Sequence, residues 1–177
     1  MRRYFHIQPA HLLQNMTGRS IDIALTQAEA GDKTEIVYEN VCTLSTEPEL
    51  CFNYATTDEL KKWGFTEGCF SCLMKDQKDV IIQVISTYKD NDGARAAYNA
   101  DARYLKRNGY GKPLIAKTIG ETSVVLKKID TDGITYNLLF LKTNVFAGIS
   151  AKYKKDSPDN IEHLTGFAEK IEGKIRL

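Results

Sequence analysis

From Thr122 to the end of the chain, apolar and polar positions follow two clear periods. Thr122 to Ile129 alternates loosely and is rich in β-branched residues, Val124, Val125 and Ile129. Thr131-Asp132-Gly133 comes next, and Asp-Gly between apolar runs predicts a hairpin turn. Ile134 to Leu141 is the return strand, with Tyr136, Leu138 and Phe140 on one face by the period of two. Lys142-Thr143-Asn144 turns the chain again, and Val145 to Tyr153 makes a third strand. A final helix follows. Ser157 can cap it, Pro158 suits its first turn, and Asp159 complements its positive end. Ile161, Leu164, Ala168, Ile171 and Ile175 recur at steps of three and four, one apolar stripe on an amphipathic helix.

The segment from Asp79 to Lys89 resembles the segment from Asn144 to Lys154 at a constant offset of 65 positions, with Val80/Val145, Tyr88/Tyr153 and Lys89/Lys154 identical. Each leads through a polar turn into a helix. The earlier helix runs from about Gly93 to Asn108, with Ala94, Ala97, Tyr98, Ala102 and Leu105 along one side, and Gly109 ends it. An internal β-β-α duplication and two units that merely look alike both fit this pattern.

Upstream, Pro9 to Met16 reads as a short helix ended by Gly18. Ile21, Ile23 and Leu25 alternate as a strand would. Glu35 to Leu44 and Leu50 to Ala55 read as a hairpin, and Thr57 to Trp63 as a short capped helix. Cys69 to Lys75 begins a hairpin that Val80 to Lys89 completes. No Pro/Gly/Ser linker divides the chain. The expectation is one α+β domain over residues 1–177, with a mainly antiparallel sheet and two principal helices packed on one face.

Composition narrows the function classes. The chain has 177 residues, 42% hydrophobic and 27% charged, which suits one globular domain with a core of its own. Its formal net charge of +1 creates no field toward nucleic acid or an anionic membrane. No apolar run approaches the roughly 18 residues of a membrane span. Met1-Arg2-Arg3-Tyr4-Phe5-His6 has a positive end without a hydrophobic stretch behind it, so it does not read as a secretory signal. Arg95, Arg103, Lys106, Arg107 and Lys112 gather around one helix and read as a solvated face, with no nucleic-acid partner expected.

The cysteines are the first candidates for chemistry. Cys42 and Cys51 flank Ser45-Thr46-Glu47-Pro48. If the turn centres between Thr46 and Glu47, the two face each other across a hairpin at a distance a disulfide spans. Two buried thiols are the alternative. Cys69-Phe70-Ser71-Cys72 is a C-x-x-C, but its surroundings look extended, and residues three apart on a strand point to opposite faces. A redox pair needs a helix N-terminus to lower a thiol pKa. The four-cysteine spacing also lacks the short paired intervals of a zinc ribbon, and no metal is expected.

Other motifs read as turns. Asn108-Gly109-Tyr110-Gly111-Lys112-Pro113 follows a helix and lacks the hydroxyl residue of a phosphate loop. Asp90-x-Asp92-Gly93 and Asp130-x-Asp132-Gly133 open like calcium loops but lack the distal Glu, leaving Asp92 as a candidate helix cap. His6, His11 and His163 are expected at the surface. No catalytic residue and no cofactor is expected.

The run Trp63-Gly64-Phe65-Thr66-Glu67-Gly68-Cys69-Phe70, then Val80-Ile81-Ile82-Gln83-Val84, then Gly93-Ala94-Arg95-Ala96-Ala97-Tyr98 resembles a loose prokaryotic pattern. So does Gly120-Glu121-Thr122-Ser123-Val124 followed by Asn144 to Ile149. Domains with it are similar to archaeal and bacterial secreted or lipid-anchored proteins with a PsbP-like α+β sandwich, and to extracytoplasmic sensor domains. The resemblance covers about Trp63 to Ile175. It implies a helix-on-sheet fold, a non-enzymatic role and a place outside the cytoplasm, and it transfers no functional residue.

Together these readings favour a sensor-like module that binds a small molecule or a protein, with Tyr88, Tyr98, Tyr104 and Tyr110 as candidate contacts because tyrosine joins apolar area to a polar tip. Two alternatives stand beside it. One is a thiol redox or metal protein using Cys69 and Cys72. The other is a scaffold subunit that self-associates through a sheet edge.

Overall fold

A computed structural model describes residues 19–46, 48, 51–76 and 79–176. Helices α1 (Ser20–Ile23) and α2 (Gln27–Ala30) precede strand β1 (Thr34–Cys42). Helix α3 (Thr57–Lys62), strands β2 (Phe65–Lys75) and β3 (Asp79–Tyr88), and helix α4 (Asn91–Arg107) follow. Strands β4 (Thr122–Asp130), β5 (Gly133–Lys142) and β6 (Val145–Tyr153) lead into helix α5 (Pro158–Lys174). The strands form one antiparallel sheet in the order β1-β2-β3-β6-β5-β4. The α+β class with a mainly antiparallel sheet therefore stands. The helix expected over Pro9 to Met16 and the residues His6 and His11 lie outside the described residues.

Local chemistry explains the ends of the helices. Asp90 caps α4 by accepting the Gly93 N–H at 2.9 Å, so the cap is Asp90 and not Asp92. Ser157 caps α5, with Pro158 in its first turn. Thr56 and Glu59 form a reciprocal capping box on α3. Gly109 takes a φ of +88° where the chain leaves α4, a conformation without steric cost only for glycine.

The two principal helices, expected on one face, take opposite faces. Ile81, Ile85, Val145, Ala147 and Ile149 pack against Leu164, Ala168 and Ile171 of α5. The alternate residues Val84, Tyr88, Phe146, Leu139 and Leu141 pack with Ala94, Ala97 and Leu105 of α4. The physical reason is visible in β5 and β6, whose central residues are buried without alternation. A strand covered on both sides reads as a continuous apolar run, here Leu138-Leu139-Phe140-Leu141.

This placement bears on the repeat. Tyr88 packs on the α4 side and Tyr153 on the α5 side, so the matched positions face opposite ways. The strand order is symmetric about the β3–β6 pair, yet the two ββα units have opposite hand. What recurs is a strand followed by a helix on the side its last tyrosine faces.

Two local expectations are corrected. Ile21, Ile23 and Leu25 do not form a strand, because Ser20–Ile23 is a helical turn. The backbone of Leu25 is engaged by a side chain instead of a ladder: buried Gln83 accepts its N–H at 2.7 Å and donates to its carbonyl at 3.0 Å. Buried Ser20 donates its N–H and hydroxyl to Glu67 at 2.8 and 2.7 Å. Among the described residues, the hairpin of 35–44 with 50–55 is also absent. β1 pairs with β2 from Thr34↔Lys75 to Cys42↔Gly68, while residues 51–55 turn, with the Cys51 and Phe52 N–H groups donating to the Pro48 carbonyl. The 11-residue β2 offers a longer ladder than the short 50–55 segment can.

Candidate functional site

On the α4 side of the sheet the core is incomplete, and a cleft of about 570 Å³ opens there. That size falls in the range of small-molecule sites. Its floor is the middle of the sheet, including Val84, Gly148 and Ser150, with Asn137 from β5. One wall is the inner side of α4, which contributes Asp101 and Tyr104. The other wall comes from the segment after β1, with Asn53 and Tyr54. Tyr110 and Lys128 also line it.

Gly148 sets the depth of the cleft. A Cβ at this position would lie 3.6 Å from the Asp101 carboxylate and 3.2 Å from Leu139. A glycine inside a strand packs no side chain, and here it leaves room beneath the helix.

Asp101 gives the cleft its electrostatic character. It lies one turn from Ala97 and one turn from Leu105, within the apolar side of α4. No hydrogen bond or ion pair engages its carboxylate among the described residues. Desolvation alone raises its pKa from the ordinary value to about 7. Its charge is felt by the phenols nearby. Burial raises Tyr54 well above the ordinary phenol and Tyr88 to about 12, and the Asp101 charge pushes both in the same direction. Burial also raises Tyr110, against a hydrogen bond with Asn137. The Tyr54 and Tyr88 hydroxyls are fully buried without a hydrogen-bond partner of good geometry. Lys128 is engaged by Asp130 at 3.4 Å.

Of the four tyrosines singled out from the sequence, the fold brings Tyr104 and Tyr110 into the cleft. Tyr88 is core, 1% exposed, and edge-on to Phe65 at 5.9 Å between centroids. Tyr98 packs edge-on against Phe146 at 6.3 Å. Asp101, Asn137 and Gly148 were missed. The signals for them were a carboxylate interrupting an apolar helical stripe and a glycine in the middle of a strand.

The cysteines separate cleanly. Cys42 and Cys51 lie at disulfide distance with Cα atoms 6.8 Å apart, although the hairpin invoked to bring them together is absent. The Asn40 amide reaches both sulfurs, at 3.7 and 3.6 Å. Cys51 lines the cleft, so this pair pins the wall that carries Tyr54. Cys69 pairs across the sheet with Ile85 and Cys72 with Ile82, which places them on opposite faces. Burial raises both thiols, Cys69 to about 12, the reverse of what a redox thiolate requires.

The remaining candidates serve the fold. Arg95 bonds to Asn91 and pairs with Glu121, while Arg103, Lys106, Arg107 and Lys112 are exposed. Asp132 pairs with Lys152 at a hairpin turn. His163 meets the Tyr153 hydroxyl at 3.0 Å and lies over Phe167, and burial lowers its pKa. Among the described residues no group of three or more His, Cys, Asp or Glu is arranged to hold a metal, and no helix is long and apolar enough to cross a membrane.

An antiparallel six-stranded sheet covered by a helix on each face, with a ligand-sized cleft under one helix, defines the class of this domain. The same fold is present in the extracellular domain of PknH from Mycobacterium tuberculosis, with a TM-score of 0.62 and 11% sequence identity, over 88% of this chain and 94% of that one. At that identity the likeness is one of fold. No family model matches the chain, and no curated protein matches it.

Proposed function

We propose that this chain is a non-enzymatic, sensor-like module that works outside the cytoplasm and binds a small molecule in the cleft beneath α4. The observation that carries this reading is the cleft itself. It has ligand size, a glycine floor, and an uncompensated carboxylate facing convergent tyrosines. Burying polar groups without partners costs stability, and sites that keep them usually use them on a ligand. The extracytoplasmic placement draws on the fold shared with an extracellular domain and on a cysteine pair at disulfide distance, since such bonds persist in oxidising compartments. The PsbP-like resemblance adds the helix-on-sheet plan and no ligand.

The reading is tested by screening small polar and aromatic fragments by amide NMR. Binding should move the resonances of Asp101, Tyr104, Tyr110 and Gly148. Shifts confined to other surfaces, or none at all, would overturn it.

A second reading is self-association along β1. This edge strand carries a bulge between Ile36 and Tyr38 and exposes Ile36, Val37 and Tyr38. Open edges with apolar side chains template pairing. Sedimentation that finds only monomer at high concentration removes it.

A further inference from the structure

We propose that the cleft selects a small organic ammonium ion with an apolar or aromatic body, held by the Asp101 carboxylate. This deepens the reading just given and rests on it.

The argument begins with what an anionic group does in a partly dry cavity. A half-buried carboxylate has lost part of its hydration and gains from a counter-charge or several donors. Asp101 has neither among the described residues, and its neighbours supply little. Tyr54 from the segment after β1, Tyr88 from β3 and Tyr110 beyond α4 are phenols that burial holds in the neutral form, and Tyr104 of α4 brings a further phenol ring. Among the described residues Lys128 from β4 is the one cation lining the cleft, and Asp130 engages it. A ligand that brings its own positive charge completes the site, whereas an anion meets like charge on Asp101.

The walls fit the rest of such a ligand. Tyr54, Phe70, Tyr104 and Tyr110 surround the cavity, and aromatic faces attract ammonium groups and pack well against flat apolar bodies. Gly148 leaves the carboxylate accessible from the sheet side, where any larger side chain would fill the space. Asn137 and Ser150 on the floor offer acceptors for the remaining N–H groups of a primary ammonium.

The test uses three probes of one shape: 2-phenylethylammonium, neutral 2-phenylethanol and anionic phenylacetate. Binding is followed by amide NMR titration at pH 8, where Asp101 is ionised. The ammonium should bind at the cleft at least tenfold more tightly than either control. Its affinity should fall at least tenfold in Asp101→Asn and, in the unmodified protein, on lowering the pH to 5.5. The pH arm keeps the test decisive if the variant does not fold. Equal or tighter cleft binding of the alcohol or the phenylacetate would overturn the ammonium assignment while leaving a binding cleft in place. Cleft binding of none of the three, beside other fragments that do bind there, would do the same. Binding of nothing in the cleft would sink both proposals.

Discussion

Asp101 is the residue whose chemistry departs most from its surroundings. Its folded pKa of about 7 lies above the 3.8 of an ordinary aspartate. Between those values the folded protein holds a proton that the unfolded chain has already released, so stability falls as the pH rises from about 4 to about 7. Asp101→Asn should remove this dependence and raise the urea midpoint near pH 8. Equal pH slopes for the variant and the parent would show that the carboxyl is not desolvated. Gly93 makes a different point. A Cβ there would stand 1.9 Å from the Trp63 carbonyl oxygen, and a backbone oxygen yields little. Gly93→Ala should cost about 1–3 kcal/mol in equilibrium unfolding by the usual scale of overpacking. Both residues could be suspected from sequence, Asp101 as a charge inside an apolar stripe and Gly93 as a glycine in a helix's first turn. Their partners, Gly148 and Trp63, could not, because those contacts cross long chain separations.

Between residues and domain stand the segments that form the cleft walls. Among the described residues, 43–46 and 51–55 after β1 form turns and no strand of their own. They are held by Phe52 and Tyr54 packing against Phe65 and Phe146, and by the Cys42–Cys51 pair. Thiol titration of unfolded, unreduced protein should therefore find two free thiols, and four after reduction. Cys51→Ser should lower stability by about 2–3 kcal/mol, the scale set by closing a short loop. It should also loosen Tyr54 and weaken ligand binding at the cleft. Four free thiols before reduction would refute the pairing. On the other face, the end of α5 clamps the early helices. Lys174 reaches the Ala24 carbonyl at 2.7 Å and the Glu29 carboxylate, and Lys170 reaches the Glu29 carbonyl at 2.6 Å. Such ties explain why Ser20–Ile23 folds as it does despite an alternating pattern. Anchoring by α5, Gln83 and Glu67 outweighs a five-residue period that propensity alone cannot resolve.

Across the domain, the sheet centre lies under both helices, the segment at Gly111 and Leu114 hydrogen-bonds along the β4 edge, and the β1 edge exposes Ile36 to Tyr38. The β3–β6 pair joins the two halves, with Ile85 opposite Ala147, both buried. Hydrogen exchange should be slowest at these central amides and much faster at Ile36 to Tyr38 on the β1 edge, because opening the centre requires breaking both cores. If exchange at the two sites is equally slow, another chain covers the edge, and the self-association reading gains ground.

Pattern along the chain was enough for the three C-terminal strands, the turn at Asp132-Gly133, both long helices and the α+β class, since these rest on periodicity and capping within a few neighbours. It was also enough to nominate Cys42 and Cys51 as partners, though through a hairpin that does not form. Contacts across the fold settled the rest: β1 pairing with β2, a helix on each face, and Asp101 suspended over Gly148. A stripe records that a helix has an apolar side without recording which sheet face receives it. The cleft exists only where side chains from several distant stretches of chain fail to fill the space between them.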